Sequence, residues 1–297
     1  MRRLLKIISF LIAVMLAWPG MCLAEDDSAL YWAISRDGQS VGFLLGTIHS
    51  EDPRVLDFPD HFISELSGNQ VFAMEMVPDL PTLQRLTEYM HYQDSTTLES
   101  IIGTERFNRL LEALKSYRVP QDWIRNMKVW AAMMTLSVPP PESGFFMDFS
   151  LSLRAAGAGL KVMGLETLED QLSFLEEMPM EQQLQLLDEA LESYHKVQEI
   201  HDQMVADYLS GDVLALQRQA EQQLDLLEPG NKQYFMEQGI DARNGRMLES
   251  LVLQLEDKRV FVAVGALHLP GENGLVELLR QSGFSLTPLP LPLLQSE

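Results

Sequence analysis

One pattern occurs twice in this chain, near its opposite ends. Phe43-Leu44-Leu45-Gly46-Thr47-Ile48-His49 is an apolar run closed by Gly-x-x-His, and Phe261-Val262-Ala263-Val264-Gly265-Ala266-Leu267-His268 repeats it. A short apolar run bounded by turn signals reads as a buried β-strand. In each copy a glycine, with no Cβ to hold neighbours off, comes just before a histidine at the strand's C-terminal end. Ligands of open α/β sheets bind at that end. The pattern therefore demands a sheet that gathers both ends of the chain and delivers two imidazoles to one rim. A metal ion is the ligand that suits such a pair.

The remaining segments supply the rest of the sheet. Strands are predicted over 30–35 and 41–48, joined by the turn Arg36-Asp37-Gly38-Gln39, and over 71–77, 160–165 and 259–267. A short last strand is predicted over 285–287, followed by an edge or tail in which leucine and proline alternate. Helical spacing fills 80–138 up to the stop at Pro139-Pro140-Pro141, and a further helix is predicted over 145–156. The expectation is an α/β (α+β) fold: a central mixed sheet built from both chain ends, with large helical insertions at about 80–156 and 167–255, in one domain over 25–297. Within the second insertion, the Gln- and Glu-rich stretch 181–223 reads as a helical hairpin packed on the sheet rather than a coiled coil.

Arg2, Arg3 and Lys6 precede an apolar stretch over 7–18, which Pro19-Gly20 breaks before Ala24 and the acidic Glu25-Asp26-Asp27. This is the plan of a secretory signal peptide over 1–24, cleaved after Ala24, and it predicts a periplasmic or secreted product. No later segment reaches the length of a membrane span, so no stable span is expected after cleavage. The only cysteine, Cys22, falls inside the leader. A mature chain without thiols excludes a cysteine nucleophile, thiolate metal ligation, iron–sulfur clusters and disulfides, and rests on an ordinary hydrophobic core. The formal charge of −21 becomes −24 when the three basic residues of the leader are removed. Such an acidic surface repels nucleic acid and anionic membrane. A peptide or small-molecule ligand remains as the partner, and the composition fixes no oligomeric state.

Four predicted strands end in an imidazole or a carboxylate: His49, Glu75, Glu166 and His268. This mix of nitrogen and oxygen donors suits zinc, manganese, cobalt or iron and suits calcium and magnesium poorly. An open coordination position would bring the pKa of bound water towards neutrality. A carboxylate that does not ligate would serve as general base. A lone strand-end histidine is more often a polar loop residue, but two in the same four-residue pattern favour function. Glu75 lies in an apolar run and needs a partner there. Glu166 reads equally as the first-turn acid of the next helix. Arg243 and Asn244 lie upstream of the last long strand, with Arg243 and Met247 on one helix face. A buried Arg243 would orient a carboxylate or bind an oxyanion, and the alternative is an exposed helix surface. Asp148, on the helix after the prolines, lies within potential reach of the site. His61, His91, His195 and His201 lack ligand spacing and read as surface residues. No HExxH, GxSxG, P-loop or GxGxxG occurs.

The same residues resemble the TraB/PrgY/GumN family, to which the animal Tiki proteases belong. The resemblance rests on the two Gly-x-x-His turns, strand-borne Glu75, Gly164-Leu165-Glu166-Thr167 with Glu169-Asp170-Gln171-Leu172, the Arg243-Asn244 pair and Gly265-Ala266-Leu267-His268-Leu269-Pro270-Gly271. It extends from about 31 to 287. It implies an α/β fold with helical insertions, distantly similar to haem-binding ChaN proteins and erythromycin esterases. For the Tiki members it implies a peptidase that needs a divalent metal, manganese or cobalt being favoured. The expectation is a secreted or periplasmic metal-dependent hydrolase, a peptidase. His49, His268 and Glu75 would hold a divalent ion (Mn, Co or Zn), with Glu75, Glu166, Arg243 and Asn244 as catalytic residues. The alternative is a non-catalytic protein that sequesters a peptide, haem or other small ligand through the same histidines.

Overall fold

The turn at Asp37-Gly38 opens the sheet. Both residues have positive φ, 51° and 75°, the conformation that matches the twist of two strands joined by a two-residue loop. β1 (Tyr31–Arg36) thereby folds back on β2 (Gln39–Thr47), antiparallel, with a register shift between Ile34 and Ser35. The other strands are β3 (Val71–Met74), β4 (Lys161–Gly164), β5 (Val260–Gly265) and β6 (Ser285–Leu289). This computed structural model describes residues 28–225 and 229–293. The expected signal peptide and its cleavage point after Ala24 lie outside the described residues.

The six strands form one mixed sheet in the order β4-β3-β5-β2-β1-β6. The first four are mutually parallel, while β1 is antiparallel to β2 and to β6. β5, almost last in the chain, slots between β2 and β3, pairing Thr47 with Gly265 and Met74 with Ala263. The expected α/β fold with a sheet drawn from both chain ends is thus what forms. Pro288 sits on edge strand β6, where a missing N–H costs the ladder least.

Both faces of the sheet are covered. Phe261 and Ala263 join Tyr31, Leu45, Phe72 and Met74 in a large core under the helical insertions. Val260, Val262 and Val264 face the other way, with Trp32, Ile34, Leu44 and Val71, against the helices Ala242–Leu255 and Leu275–Gln281. Burial on both faces is why β5 reads as an unbroken apolar run. Phe261 is the hub of the first core, its ring 5.5–6.2 Å from those of Tyr31, Phe43, Phe62 and Phe72. Each such ring contributes on the order of 2 kcal/mol through the area it removes from water.

Helices fill the intervals between strands as expected, with two differences in detail. The stretch 181–223 belongs to three helices, Met180–Ser193, Val197–Leu209 and Val213–Leu224, rather than a two-helix hairpin. Gly211, a glycine at φ 76°, makes the break expected of a hairpin, and a 3-10 turn at Tyr194–Lys196 makes the extra one. His91 is buried, which corrects its assignment to the surface. It ends the helix Leu80–Met90, bridges to Met127 and sets its ring edge-on to Trp123, with Nδ1 2.6 Å from the Thr87 carbonyl oxygen. Among the described residues, no helix is long and apolar enough to cross a membrane.

Candidate metal and catalytic site at the strand ends

The four parallel strands deliver their terminal residues to one rim. His49 follows β2, Glu75 follows β3, Glu166 follows β4, and His268 ends the 3-10 turn Ala266–His268 after β5. The Glu166 N–H donates to the Glu75 carbonyl at 2.9 Å and ties the β3 and β4 ends together. Both glycines of the repeated pattern are there for close approach. A Cβ on Gly46 would lie 2.9 Å from Ala266 Cα, and one on Gly265 would lie 3.1 Å from Glu75 Oε1 and 3.5 Å from His268 Cδ2. The first contact is too short for any side chain, so only glycine lets the two motif turns touch.

Glu75 is the centre of the hydrogen-bond network. Its Oε1 accepts the Gly265 N–H at 2.7 Å, and its Oε2 accepts Arg243 Nη2 at 2.6 Å and Gln171 Nε2 at 3.2 Å. Burial pushes its carboxyl up, but Arg243, His268 and the Gly265 amide outweigh that and lower it to about 2. Arg243 is buried and forked: Nε and Nη2 donate to the Glu166 carboxylate at 2.7–3.2 Å while Nη2 also reaches Glu75. Burial disfavours the guanidinium charge, and the two carboxylates more than restore it, raising its pKa. The Glu166 side chain is 0% exposed, and burial raises its carboxyl despite Arg243. Glu166 also precedes the N-cap Thr167, so it is not a first-turn helix acid. Its carboxylate is thus closed to solvent behind Arg243.

A second network fixes His268. Asn244 Nδ2 donates to the Asn273 carbonyl at 2.7 Å, so its Oδ1 faces His268 Nδ1, also at 2.7 Å. That contact requires the proton on Nδ1, which leaves the Nε2 lone pair free. Nε2 lies 3.7 Å from Glu75 Oε1. Burial lowers the His268 pKa to about 4. Asn273 is held in turn, its Nδ2 donating to Asp241 Oδ2 at 3.0 Å. Both amide ends of Asn244 are therefore engaged by the protein. Arg243 and Asn244 enter their helix from a π-helical turn, Glu237–Asp241, whose Gly239 carbonyl accepts Arg243 Nη1 at 3.4 Å. Such wide turns re-aim the side chains that follow and recur at functional sites.

His49 forms the outer wall. Its ring stacks on Phe146 with centroids 3.6 Å apart, and its Nδ1 lies 4.0 Å from Asp148 Oδ2. Asp148, in the first turn of the helix Met147–Gly157, accepts a short hydrogen bond from Thr47 Oγ1. Burial pushes the Asp148 carboxyl up to about 7, and the field of Glu75 adds to the rise. Half of the His49 side-chain surface is open at 49%, yet the protein around it lowers its pKa, with Glu75 and Glu51 pulling the other way. His201, on the helix Val197–Leu209, hydrogen-bonds the His49 backbone and leaves its buried Nδ1 without a hydrogen-bond partner. His201 is half-buried, so it stands at the surface but against the site. Tyr208, two helical turns further on, donates to the Gly46 carbonyl at 2.7 Å and pins the same turn from behind.

The structure thus brings Glu75, Glu166, Arg243, Asn244 and His268 into one bonded network, with His49 beside it. Sequence reasoning missed Thr47, Gln171, His201 and Asn273. Thr47 carried a local signal, a polar residue inside an apolar strand end, here 1% exposed, and Gln171 lay within the Glu169-Asp170-Gln171-Leu172 segment of the resemblance. Among the described residues, no three His, Cys, Asp or Glu side chains are grouped closely enough to hold a metal ion by themselves. The donor chemistry nevertheless fits one. His268 offers a neutral imidazole whose free lone pair faces an ionised carboxylate oxygen, and metal ligands must carry those protonation states. The Asn244 contact behind the ring is the outer support that ligating histidines need.

The sheet and the His/Glu/Arg/Asn network on its parallel rim define an α/β protein with a polar site at its strand ends. The chain belongs to the TraB/PrgY/gumN family, whose sequence profile matches residues 30–288. It is 22% identical to Metalloprotease TIKI2 of Xenopus tropicalis over 90% of this chain and 61% of that protein. It is 23% identical to Metalloprotease TIKI1 of Danio rerio over 91% of this chain and 65% of that protein. It thus spans less than two thirds of these relatives. The uncharacterized protein YbaP of Shigella flexneri is 22% identical over 83% of this chain and 90% of its own length. No solved structure gives a significant match.

Proposed function

We propose that this chain is a metal-dependent hydrolase that cleaves peptide bonds and works in the periplasm or outside the cell. The observation that carries the proposal is the lone pair of His268 Nε2, set by Asn244, facing Glu75 Oε1 at 3.7 Å. The metalloprotease names of relatives at 22–23% identity support it, and the leader-like residues 1–24 support the location. His268, Glu75 and His49 would hold the ion, with manganese, cobalt or zinc as candidates. Bound there, a divalent ion lowers the pKa of water and polarises the scissile carbonyl.

The other roles follow from position. Arg243 clamps Glu75 Oε2, so that Oε1 stays turned to His268, and Glu166 balances the buried guanidinium. Asn244 keeps the His268 proton on Nδ1. Asp148, beside His49 and oriented by Thr47, exchanges a proton near neutral pH and passes it to the leaving amine. The test is cleavage of a mixed peptide library by metal-stripped protein with Mn²⁺, Co²⁺ or Zn²⁺ added back. Cleavage should appear with metal and vanish in His49→Ala/His268→Ala; undiminished cleavage by that variant would remove the site. The rival reading, a binder of a peptide, haem or another small ligand, draws on the lack of a three-donor group among the described residues. It predicts tight retention of that ligand with no turnover under any metal.

A further inference from the structure

The helix that carries Asp148 has two apolar faces, and only one is buried. Met147, Leu151 and Ala155 point into the core. Phe149 and Leu153, four residues apart, share its other side, Phe145 precedes the helix start at the same step, and Phe145 and Leu153 are 48% and 47% exposed. Phe145 is the only phenylalanine among the described residues with so open a ring. Phe145 and Phe149 stack at 5.5 Å and 17° into a flat platform. The segment that leads into the stripe touches the site, since Phe146, between Phe145 and the helix start, stacks on His49.

This platform is fastened down. The Glu51 carboxylate, two residues after His49, accepts the N–H groups of Glu142, Ser143 and Gly144 and the Ser143 hydroxyl at 2.6–3.2 Å. The Met147 N–H donates to the Ser50 carbonyl at 3.1 Å. The loop after Gly46-Thr47-Ile48-His49 thus grips both the segment before Phe145 and the helix start after it. A rigid, solvent-facing aromatic ridge buries apolar ligand surface without first having to be ordered. The molecule is strongly acidic, at −21, so a neutral apolar strip beside the site selects against acidic side chains.

We propose that Phe145, Phe149 and Leu153 form a specificity subsite that seats aromatic or aliphatic side chains of an extended peptide leading into the His49 site. The proposal rests on the peptidase reading above for the peptide's fate, not for its binding. It is tested with fluorescein-labelled peptides that differ at one residue (Phe, Leu, Ala or Asp), using the metal-loaded mature chain. Binding is read by anisotropy and cleavage by mass spectrometry. Phe and Leu peptides should bind roughly tenfold or more tighter than Ala and Asp peptides, as burial of one such side chain gives. Phe145→Ser/Leu153→Ser, which alters only exposed positions, should bring the four peptides to within about twofold of one another. Phe149→Ser should do the same, and circular dichroism will separate loss of the platform from loss of the fold.

Peptides held through the stripe but left intact would uphold the subsite and sink the hydrolase. Cleavage without side-chain preference, or a preference that survives in the double variant, would overturn the subsite alone. Stripe-dependent binding to neutral phosphatidylcholine vesicles with no discrimination among the peptides would overturn it too, in favour of a membrane contact.

Discussion

At the scale of single residues, Arg243 governs the site. It neutralises Glu75 and Glu166 at once, so Arg243→Met should leave Glu75 without its guanidinium and Glu166 with only Arg246, 3.8 Å away. A loss of about 3–5 kcal/mol in urea unfolding is expected, with part of it recovered in Arg243→Met/Glu166→Gln, where one charge is gone. Equal stability of the two variants would show that Glu166 is not its partner. Asn244→Leu should free the His268 ring, cost about 1–3 kcal/mol for the orphaned groups and weaken metal binding roughly 10- to 100-fold, measured by titration calorimetry. Sequence left Arg243 and Asn244 open between a buried and an exposed face. Their partners lie on other strands and turns, up to 168 positions away for Glu75, and helical spacing carries no such information. His49 and His268 show the opposite case: a repeated turn marks them, while His201, without any motif, carries no sign of its place beside His49.

Elements bring these residues together through two close contacts. The first is Gly46 against Ala266. Gly46→Ala should push the β2 turn off the β5 turn, cost about 1–3 kcal/mol of stability and reduce metal affinity along with it; thermal unfolding of the two forms reads the first effect. The second is the Glu51 latch. Burial pushes the Glu51 carboxyl up, and the hydrogen bonds from Ser143, Gly144 and Glu142 bring it below its ordinary value of 4.5. A carboxylate depressed by folding stabilises above its unfolded pKa, and that stability is lost as pH falls through the folded value. The Ser143 and Gly144 amide signals should therefore titrate together by NMR with a midpoint below 4.5. A midpoint at or above that value would deny the latch. Strands were legible because β2, β3 and β5 are covered on both faces or nearly so and read as apolar runs. The latch was not, because it joins two polar loops about 90 residues apart whose spacing obeys no period.

For the whole molecule, the decisive fact is the strand order. β5 enters between β2 and β3, so the two Gly-x-x-His turns and Glu75 share a rim although the chain separates His49 from His268 by most of its length. The repeated motif made that convergence legible, and the helical insertions were legible from their spacing. The wrapping of three helices over 180–224 was not, since a 3-10 turn without proline or glycine breaks the pattern at Tyr194–Lys196. The most direct measurement is calorimetric titration of the metal-free protein with Mn²⁺, Co²⁺ and Zn²⁺. One ion per chain should bind, and His49→Ala and His268→Ala should each abolish that binding while the fold is retained. An ion bound just as tightly by the His49→Ala/His268→Ala double variant would contradict a shared centre.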